Sequence, residues 1–229
     1  MLRQTADAKL IMELNPMSHI SEAYRTLKTN IQFSKWDETL RTIVVTSTLA
    51  GEGKTTTICN LAISYAKEGK KVLLIDGDMR KPTIHRIFSI NNRIGLSNVL
   101  ANQYTVSEVI RSSSIDNLNI LPSGPIPPNP VELLSSPNLT VMLKDIRESY
   151  DMILIDTPPI LSVADGLIIS SLSDGVVLVV QAGKVKRQLI IKSKEKLEYV
   201  KAPILGAVLN NKKSKKIETQ YYEYNSNLE

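Results

Sequence analysis

The stretch TIVVTSTLAGEGKTTTICNLA, residues 42–62, decides the fold. Its apolar β-branched start predicts a buried strand, and the segment from Thr55 onward predicts an amphipathic helix. Between them lies a loop with Gly51 and Gly53, followed by Lys54. A strand, a glycine-containing loop and a helix in this order form a P-loop, in which backbone N–H groups close around phosphate oxygens. The stretch therefore predicts a nucleotide-phosphate site.

The residue types of this loop suggest individual roles. The Lys54 ammonium reaches the terminal phosphates, and the Thr55 hydroxyl can coordinate magnesium. The standard pattern has glycine where this chain has Thr48, so the loop is a variant, and an ordinary strand-to-helix turn is the alternative. We predict that the nucleotide is bound by Gly51, Glu52, Gly53, Lys54, Thr55 and Thr56.

Length and composition limit the class of protein. The 229 residues suffice for one globular domain, and 42% hydrophobic with 22% charged residues exclude a disordered or fibrous chain. The longest apolar runs are far shorter than the roughly 20 residues that span a bilayer. The first residues do not resemble a secretory signal, and Cys59 is the single cysteine, so no intramolecular disulfide can form. We expect a cytoplasmic protein.

Short apolar runs alternate with longer amphipathic stretches along most of the chain. Strands are predicted over 42–47, 71–76, 118–121, 152–156, 175–180 and 204–209. Helices are predicted over 55–67, 131–149 with a break or start at Pro137, 164–171 and 186–199. Apolar runs without alternation are typical of strands covered on both faces. We therefore predict an α/β fold of the P-loop NTPase type, with a mostly parallel sheet and helices on both faces.

The two ends of the chain differ from its centre. Residues 1–17 form a polar leader, and residues 18–211 are predicted to form a single P-loop domain. This domain begins with a helix, because apolar residues recur at helical spacing at Ile20, Tyr24, Leu27 and Ile31. Residues 212–229 are predicted to form a flexible polar tail that contains tyrosines.

Two apolar strands end at aspartates, in VLLIDGDMRKP and MILIDTPP. Asp156 ends the second strand, where an acid can hold magnesium through water. Asp76 and Asp78 lie two residues apart and would share one side of an extended chain, so one can assist the metal and the other can accept a proton. The alternative for Asp78 is a turn-capping role. Arg80 offers a planar charge to phosphate or to a carboxylate, or forms a surface ion pair.

Positive charge is concentrated near the C-terminus. Eleven Lys or Arg residues and two Glu residues lie between Lys184 and Lys216, so this stretch carries a charge of +9. A solvated helix face, an anionic membrane surface and an acidic partner all remain open. No aromatic residues are interleaved for stacking, and we predict no specific binding of nucleic acid.

Four motifs together resemble the bacterial tyrosine kinases, or BY-kinases: SxxxGEGKTT (47–56), LLIDGDMRKP (73–82), LPSGPIPPNPVELLSS (121–136) and ILIDTPP (153–159). The resemblance implies that ATP and Mg²⁺ are bound, that Lys54 contacts the β- and γ-phosphates, and that Thr55 coordinates magnesium. Further implied roles are magnesium support through water by Asp78 and Asp156, proton acceptance by Asp76, and recognition of the adenine edge by Asn210. Lys54, Asp76, Asp78 and Asp156 would form the catalytic set.

The resemblance extends to both ends of the chain. In the family, a C-terminal tyrosine cluster is autophosphorylated, which here implies Tyr221, Tyr222 and Tyr224 as acceptors. The family's E-x-x-R-x-x-R subunit contact is similar to Glu22, Arg25 and Lys28, with Lys in place of the second Arg. These residues imply a homo-oligomeric ring in which the tail of one subunit enters the active site of its neighbour. An intrahelical pair of Glu22 and Arg25 is the alternative.

The family also implies a cellular role. Its members control capsular or exopolysaccharide production together with a transmembrane adaptor, which here would be a separate protein. The adaptor's cytoplasmic segment would activate the kinase and recruit it to the inner face of the membrane. Other expected partners are protein substrates with tyrosines and a phosphotyrosine phosphatase.

Two other functions compete with the kinase. A MinD/ParA-type positioning or partitioning ATPase shares the P-loop, but such ATPases carry a lysine early in that loop, where this chain has Leu49. A nucleotide-binding scaffold that transfers no phosphate is the non-enzymatic alternative. The presence of Lys54 and the three aspartates argues against it.

Overall fold

The computed structural model describes residues 10–35 and 40–211. Its strands are β1 (Thr42–Ser47), β2 (Val72–Asp76), β3 (Arg111–Ser112), β4 (Leu118–Leu121), β5 (Met152–Asp156), β6 (Gly175–Gln181) and β7 (Ile204–Asn210). Its helices are α1 (Ile11–Leu14), α2 (His19–Phe33), α3 (Lys54–Ala66), α4 (Ile84–Ile87), α5 (Leu96–Leu100), α6 (Val106–Val109), α7 (Pro130–Leu134), α8 (Pro137–Arg147), α9 (Asp165–Ser171) and α10 (Arg187–Tyr199).

The strands form one sheet in the order β3-β4-β2-β5-β1-β6-β7. Every neighbouring pair is parallel except β3 with β4. Strands β1, β2 and β5 occupy the centre and are buried at every position, which explains their uninterrupted apolar sequences. The predicted α/β fold with a mostly parallel sheet is confirmed.

Two apolar layers cover the faces of the sheet. On one face, residues of α2 and α3 such as Ile31, Ile58 and Tyr65 pack against β1 side chains that include Ile43. On the other face, residues of α5, α8, α9 and α10 pack against alternate positions of the same strands, such as Val44. Because the helices bury both faces, the carboxyl ends of the strands are left to form a site at the sheet edge.

The strand boundaries follow the sequence closely. Strands β1, β4 and β5 match the predicted ranges to the residue, β2 starts one residue later, and β6 and β7 end one residue later. Strand β3 was not predicted, because two residues are too few to show an apolar pattern. The helix predicted over 131–149 is two helices, and Pro137 is the first residue of the second.

The N-terminal region contains more structure than a polar leader. Residues 1–9 lie outside the described part, but Ile11–Leu14 forms helix α1, and Met12 is buried in the core. The amphipathic helix predicted before the first strand is α2, where the Ser18 hydroxyl accepts a hydrogen bond from Ser21 N–H and caps the helix. Over the residues described, none of the helices is both long and apolar enough to cross a bilayer.

Candidate active site

The P-loop connects the end of β1 to the start of α3. Gly51 and Gly53 have φ values of +81° and +91°, which glycine adopts without steric cost. Gly53 also lies against the end of β7, since a Cβ added there would overlap the amide nitrogen of Asn210. Lys54 and Thr55 follow as the first residues of α3, so their side chains start at the helix N-terminus, where an anion is favoured.

Lys54 lies between two of the predicted carboxylates. Its Nζ is 3.2 Å from Asp78 Oδ2 and 3.3 Å from Asp156 Oδ2. The Thr55 hydroxyl donates to Asp156 Oδ2 over 2.6 Å. The start of α3, the loop after β2 and the end of β5 therefore bring together the four predicted residues, Lys54, Thr55, Asp78 and Asp156.

Asp76 ends β2 beside Asp156, which ends β5. One carboxylate oxygen, Oδ2, accepts hydrogen bonds from the backbone N–H groups of Thr83 and Ile84 at 2.9 and 3.0 Å. The other, Oδ1, is buried and has no hydrogen-bond partner among the described residues. Burial and, second, the charge of Asp156 raise the pKa of Asp76 to about 7. Asp76 is thus a carboxylate with one oxygen that accepts no hydrogen bond from the described residues, and its pKa lies near neutral pH.

The charges around Lys54 depend on one another. Burial raises the pKa of Asp156, while the Lys54 charge and the Thr55 hydrogen bond oppose that rise. Burial alone would lower the pKa of Lys54, but the Asp156 and Asp78 carboxylates outweigh it, so the net shift is upward. Lys54 therefore keeps its positive charge at neutral pH, as a phosphate-binding lysine requires.

The loop after β2 places the remaining residues of its motif. Asp78 Oδ1 accepts from the Lys81 N–H over 3.0 Å, so Asp78 caps a turn and also pairs with Lys54. Arg80 binds the fully buried Asp165 through two parallel hydrogen bonds of 2.9 and 3.1 Å. In this structure, Arg80 therefore pairs with a carboxylate at the start of α9.

Glu52 and Asn210 join the P-loop to the edge of the sheet. The buried Glu52 carboxylate accepts from Leu49 N–H over 2.7 Å and from Gln181 N–H over 3.3 Å. Asn210 donates its side-chain amide to the Glu52 carbonyl over 2.8 Å, and its Oδ1 accepts from the Asn211 N–H. The sequence predicted both residues to lie at the nucleotide. It did not predict these hydrogen bonds between the P-loop and the ends of β6 and β7, because the P-loop pattern does not specify residue 52.

The predicted subunit-contact residues lie on α2. Arg25 pairs with Glu22 over 2.6 Å and donates to the Pro16 carbonyl. Lys28 is buried and pairs with Glu68 of the same chain, so it does not lie on the surface. The predicted acceptors Tyr221, Tyr222 and Tyr224 lie outside the described residues.

The oxygen atoms near Lys54 suit magnesium. The described ranges contain no group of three or more His, Cys, Asp or Glu side chains that could enclose a metal ion. Magnesium does not need such a cage, since it is usually bound by one or two carboxylates, waters and substrate phosphates. The Thr55 hydroxyl and the Asp156 carboxylate, 2.6 Å apart at the P-loop, fit that requirement.

The fold and the site define a P-loop nucleotide-binding domain, and residues 40–202 match the AAA domain family. The chain is 45% identical over 220 residues to tyrosine-protein kinase YwqD of Bacillus subtilis (strain 168), covering 96% of this chain and 93% of that protein. It is 38% identical to the putative tyrosine-protein kinase CapB of Staphylococcus aureus, covering 97% of both. Among solved structures, the chimerical protein CapA2B2 matches with a TM-score of 0.87 and 41% identity over 90% of this chain and 91% of that one. The chain belongs to the bacterial tyrosine kinases.

Proposed function

We propose that this ATP-dependent protein-tyrosine kinase autophosphorylates the tyrosines of its C-terminal tail in trans and regulates capsular or exopolysaccharide biosynthesis and export. The observation that supports phosphotransfer best is the position of Asp76. Its unpartnered oxygen and its raised pKa suit proton acceptance, and the adjacent Lys54, Thr55 and Asp156 suit a magnesium-bound triphosphate.

The reaction assigns one task to each group. The tyrosine oxygen attacks the γ-phosphorus, the bond from that phosphorus to the β–γ bridging oxygen breaks, and ADP leaves. The tyrosine proton passes to Asp76, whose help is needed because a phenol has a pKa of about 10 in water. Lys54 exchanges its contacts with Asp78 and Asp156 for phosphate oxygens and stabilises their charge. Thr55 and Asp156 would hold magnesium, which would supply positive charge to offset the negative charge of the phosphates.

The tail supplies the proposed acceptors. Tyr221, Tyr222 and Tyr224 stand in the polar segment TQYYEYNSNLE, which has few apolar residues with which to pack. Each phosphate adds between one and two negative charges at neutral pH, so phosphorylated tails repel one another. In a ring whose tails enter neighbouring active sites, this repulsion would favour opening of the ring.

Exposed apolar residues and the resemblance to the family support the proposed partners. Leu14, Met17 and Ile20 are exposed apolar residues that precede Glu22 and Arg25 in the chain, and exposed apolar side chains suit contact with a second copy of the chain. The resemblance to the family suggests activation by the cytoplasmic segment of a transmembrane adaptor, which would also bring the kinase to the membrane. A phosphotyrosine phosphatase would return the tail to its unmodified state.

Phosphosite mass spectrometry tests the proposal. The full chain is incubated with ATP, magnesium and a candidate adaptor's cytoplasmic peptide, in parallel with Lys54→Met and with a truncation before Tyr221. Phosphate on the tail tyrosines that disappears in Lys54→Met supports the proposal. ATP hydrolysis without phosphotyrosine, unchanged by the truncation, would contradict it and favour the positioning-ATPase alternative.

A further inference from the structure

A second lysine lies against the P-loop. Lys184 belongs to the loop between β6 and α10, far from Lys54 in sequence. Its Nζ is 3.9 Å from the position that a Cβ on Gly51 would occupy. Gly51 is part of the loop that closes around the nucleotide phosphates. The Lys184 ammonium therefore lies next to the loop that is proposed to bind the phosphates.

The position of Lys184 follows from contacts at the ends of β6 and β7. Glu52, inside the P-loop, accepts the N–H of Gln181, the last residue of β6. The next residue, Ala182, donates its N–H to the Asn210 carbonyl over 2.8 Å, and Asn210 in turn donates to the Glu52 carbonyl. Lys184 N–H then closes a turn onto the Gln181 carbonyl. The segment that carries Lys184 is thus anchored to the P-loop itself.

The charge of Lys184 has no acidic partner within residues 10–35 and 40–211. Among the residues that the structure describes, no carboxylate forms an ion pair with it, and its side chain is exposed. The buried Glu52 carboxylate, which ties the two loops together, is occupied by two backbone N–H groups. Lys54, by contrast, is neutralised by Asp78 and Asp156. In the described part of the chain, Lys184 is therefore a cation without an ion-pair partner, and it lies beside a loop that suits anions.

We propose that Lys184 is a second phosphate-binding lysine, which contacts the phosphates of the bound nucleotide from the β6–α10 loop. This inference rests on the proposed nucleotide site and adds a residue that the P-loop motif does not contain. Its ammonium adds a long-range attraction for the triphosphate, which salt weakens. Glu52 acts as its positioning residue, because Glu52 fixes the start of the loop that carries Lys184.

The test measures nucleotide binding by isothermal titration calorimetry, separately from phosphotransfer. The full-length protein, Lys184→Gln and Lys184→Arg are titrated with ATP and magnesium, and with adenosine. Lys186→Gln is the matched control, since Lys186 is an exposed lysine two residues further along the same loop. An exposed charge contact is worth up to about 1 kcal/mol, so Lys184→Gln should weaken ATP binding about fivefold at low salt.

The adenosine titration and the variants Lys184→Arg and Lys186→Gln serve as controls. Adenosine affinity should be unchanged in Lys184→Gln, Lys184→Arg should keep most of the ATP affinity, and Lys186→Gln should stay within about twofold of the unmodified protein. Equal ATP affinity in Lys184→Gln and the unmodified protein would overturn the inference, and so would an equal loss in Lys186→Gln. Either result leaves the kinase proposal intact, because tail phosphorylation is scored independently by mass spectrometry.

Discussion

Asp76 and Asp156 are register partners at the carboxyl ends of the neighbouring parallel strands β2 and β5. Both side chains are almost completely buried, and the charge of Asp156 is one of the two causes that raise the pKa of Asp76. Lys54 lies between Asp156 and Asp78 and offsets part of their charge. The pairing places the proposed proton acceptor, Asp76, beside the proposed magnesium ligand, Asp156.

The pKa of Asp76 predicts how activity depends on pH. Asp76 accepts a proton only when ionised, so kcat/KM for tyrosine phosphorylation should rise with pH through about 7 and then level off. Asp76→Asn should lower kcat by about 10² to 10⁴ and abolish this rise. Steady-state phosphorylation of a tyrosine peptide between pH 5.5 and 9 measures both. A flat profile with the native side chain would contradict the assignment of Asp76 as the base.

The same carboxylate should limit stability at high pH. Its pKa is higher in the folded chain than in the unfolded chain, so folding loses stability as the pH rises from about 4 to 7. Asp76→Asn removes the buried charge and keeps an oxygen for Thr83 and Ile84 N–H. It should raise the free energy of unfolding at pH 8 by about 1–3 kcal/mol and have little effect at pH 4, as measured by urea denaturation. A loss of stability at pH 8 would show that the ionised carboxylate stabilises the fold.

The Arg80–Asp165 pair should respond unequally to removal of its two partners. The Arg80 side chain is 39% exposed, whereas Asp165 is fully buried. Arg80→Ala leaves a buried carboxylate without its partner and should cost about 2–4 kcal/mol of unfolding free energy. Asp165→Asn leaves an arginine that reaches water and should cost about 1 kcal/mol. The double variant should be more stable than Arg80→Ala alone. An equal cost for both single changes would contradict this account.

Gly53 and Gly69 have similar φ values but different surroundings, so alanine at each position separates backbone strain from the contact with Asn210. Gly53 and Gly69 have φ values of +91° and +83°, but only at Gly53 would a Cβ meet another residue, the Asn210 amide that binds the Glu52 carbonyl. Gly69→Ala should cost about 1 kcal/mol of stability and leave ATP affinity unchanged. Gly53→Ala should weaken ATP binding more than tenfold, because it displaces Asn210 and distorts the P-loop. Equal ATP affinity in the two variants would show that the Asn210 contact does not shape the site.

The exposed apolar residues Leu14, Met17 and Ile20 predict the effect of a charge on the proposed assembly. Met17 and Tyr199 are 90% and 89% exposed, so Met17→Glu and Tyr199→Glu introduce the same charge at equally exposed positions. Met17→Glu should reduce the oligomer to smaller species in sedimentation velocity, while Tyr199→Glu should not. Both positions are exposed, so neither change should unfold the individual subunit, and circular dichroism should show the same secondary structure in both variants. An oligomer that survives Met17→Glu would place the subunit contact elsewhere.

The apolar periodicity of the sequence predicted the central sheet nearly to the residue, because buried parallel strands are apolar on both faces. Asp76, Asp78 and Asp156 were predicted as neighbours because parallel strands end at the same edge. The contacts of the Glu52 carboxylate, the identity of Asp165 as the partner of Arg80, and the proximity of Lys184 to Gly51 could not be predicted. Each joins residues far apart in sequence, or uses a side chain that no local pattern specifies. Helix α1 was missed because a single turn has too few residues to show a period.

A mixing experiment tests the central claim most directly. Lys54→Met keeps an intact tail but loses the proposed phosphate-binding lysine. A chain truncated before Tyr221 keeps the P-loop and lacks the proposed acceptors. The two are combined with ATP, magnesium and the adaptor peptide, and tryptic phosphopeptides are quantified by mass spectrometry. The account predicts phosphate on Tyr221, Tyr222 or Tyr224 of the Lys54→Met chain in the mixture, and none in that chain alone. Absence of tail phosphotyrosine from the mixture, when the unmodified protein phosphorylates its own tail, would contradict transfer in trans. Absence from the unmodified protein as well would contradict the proposed tail phosphorylation.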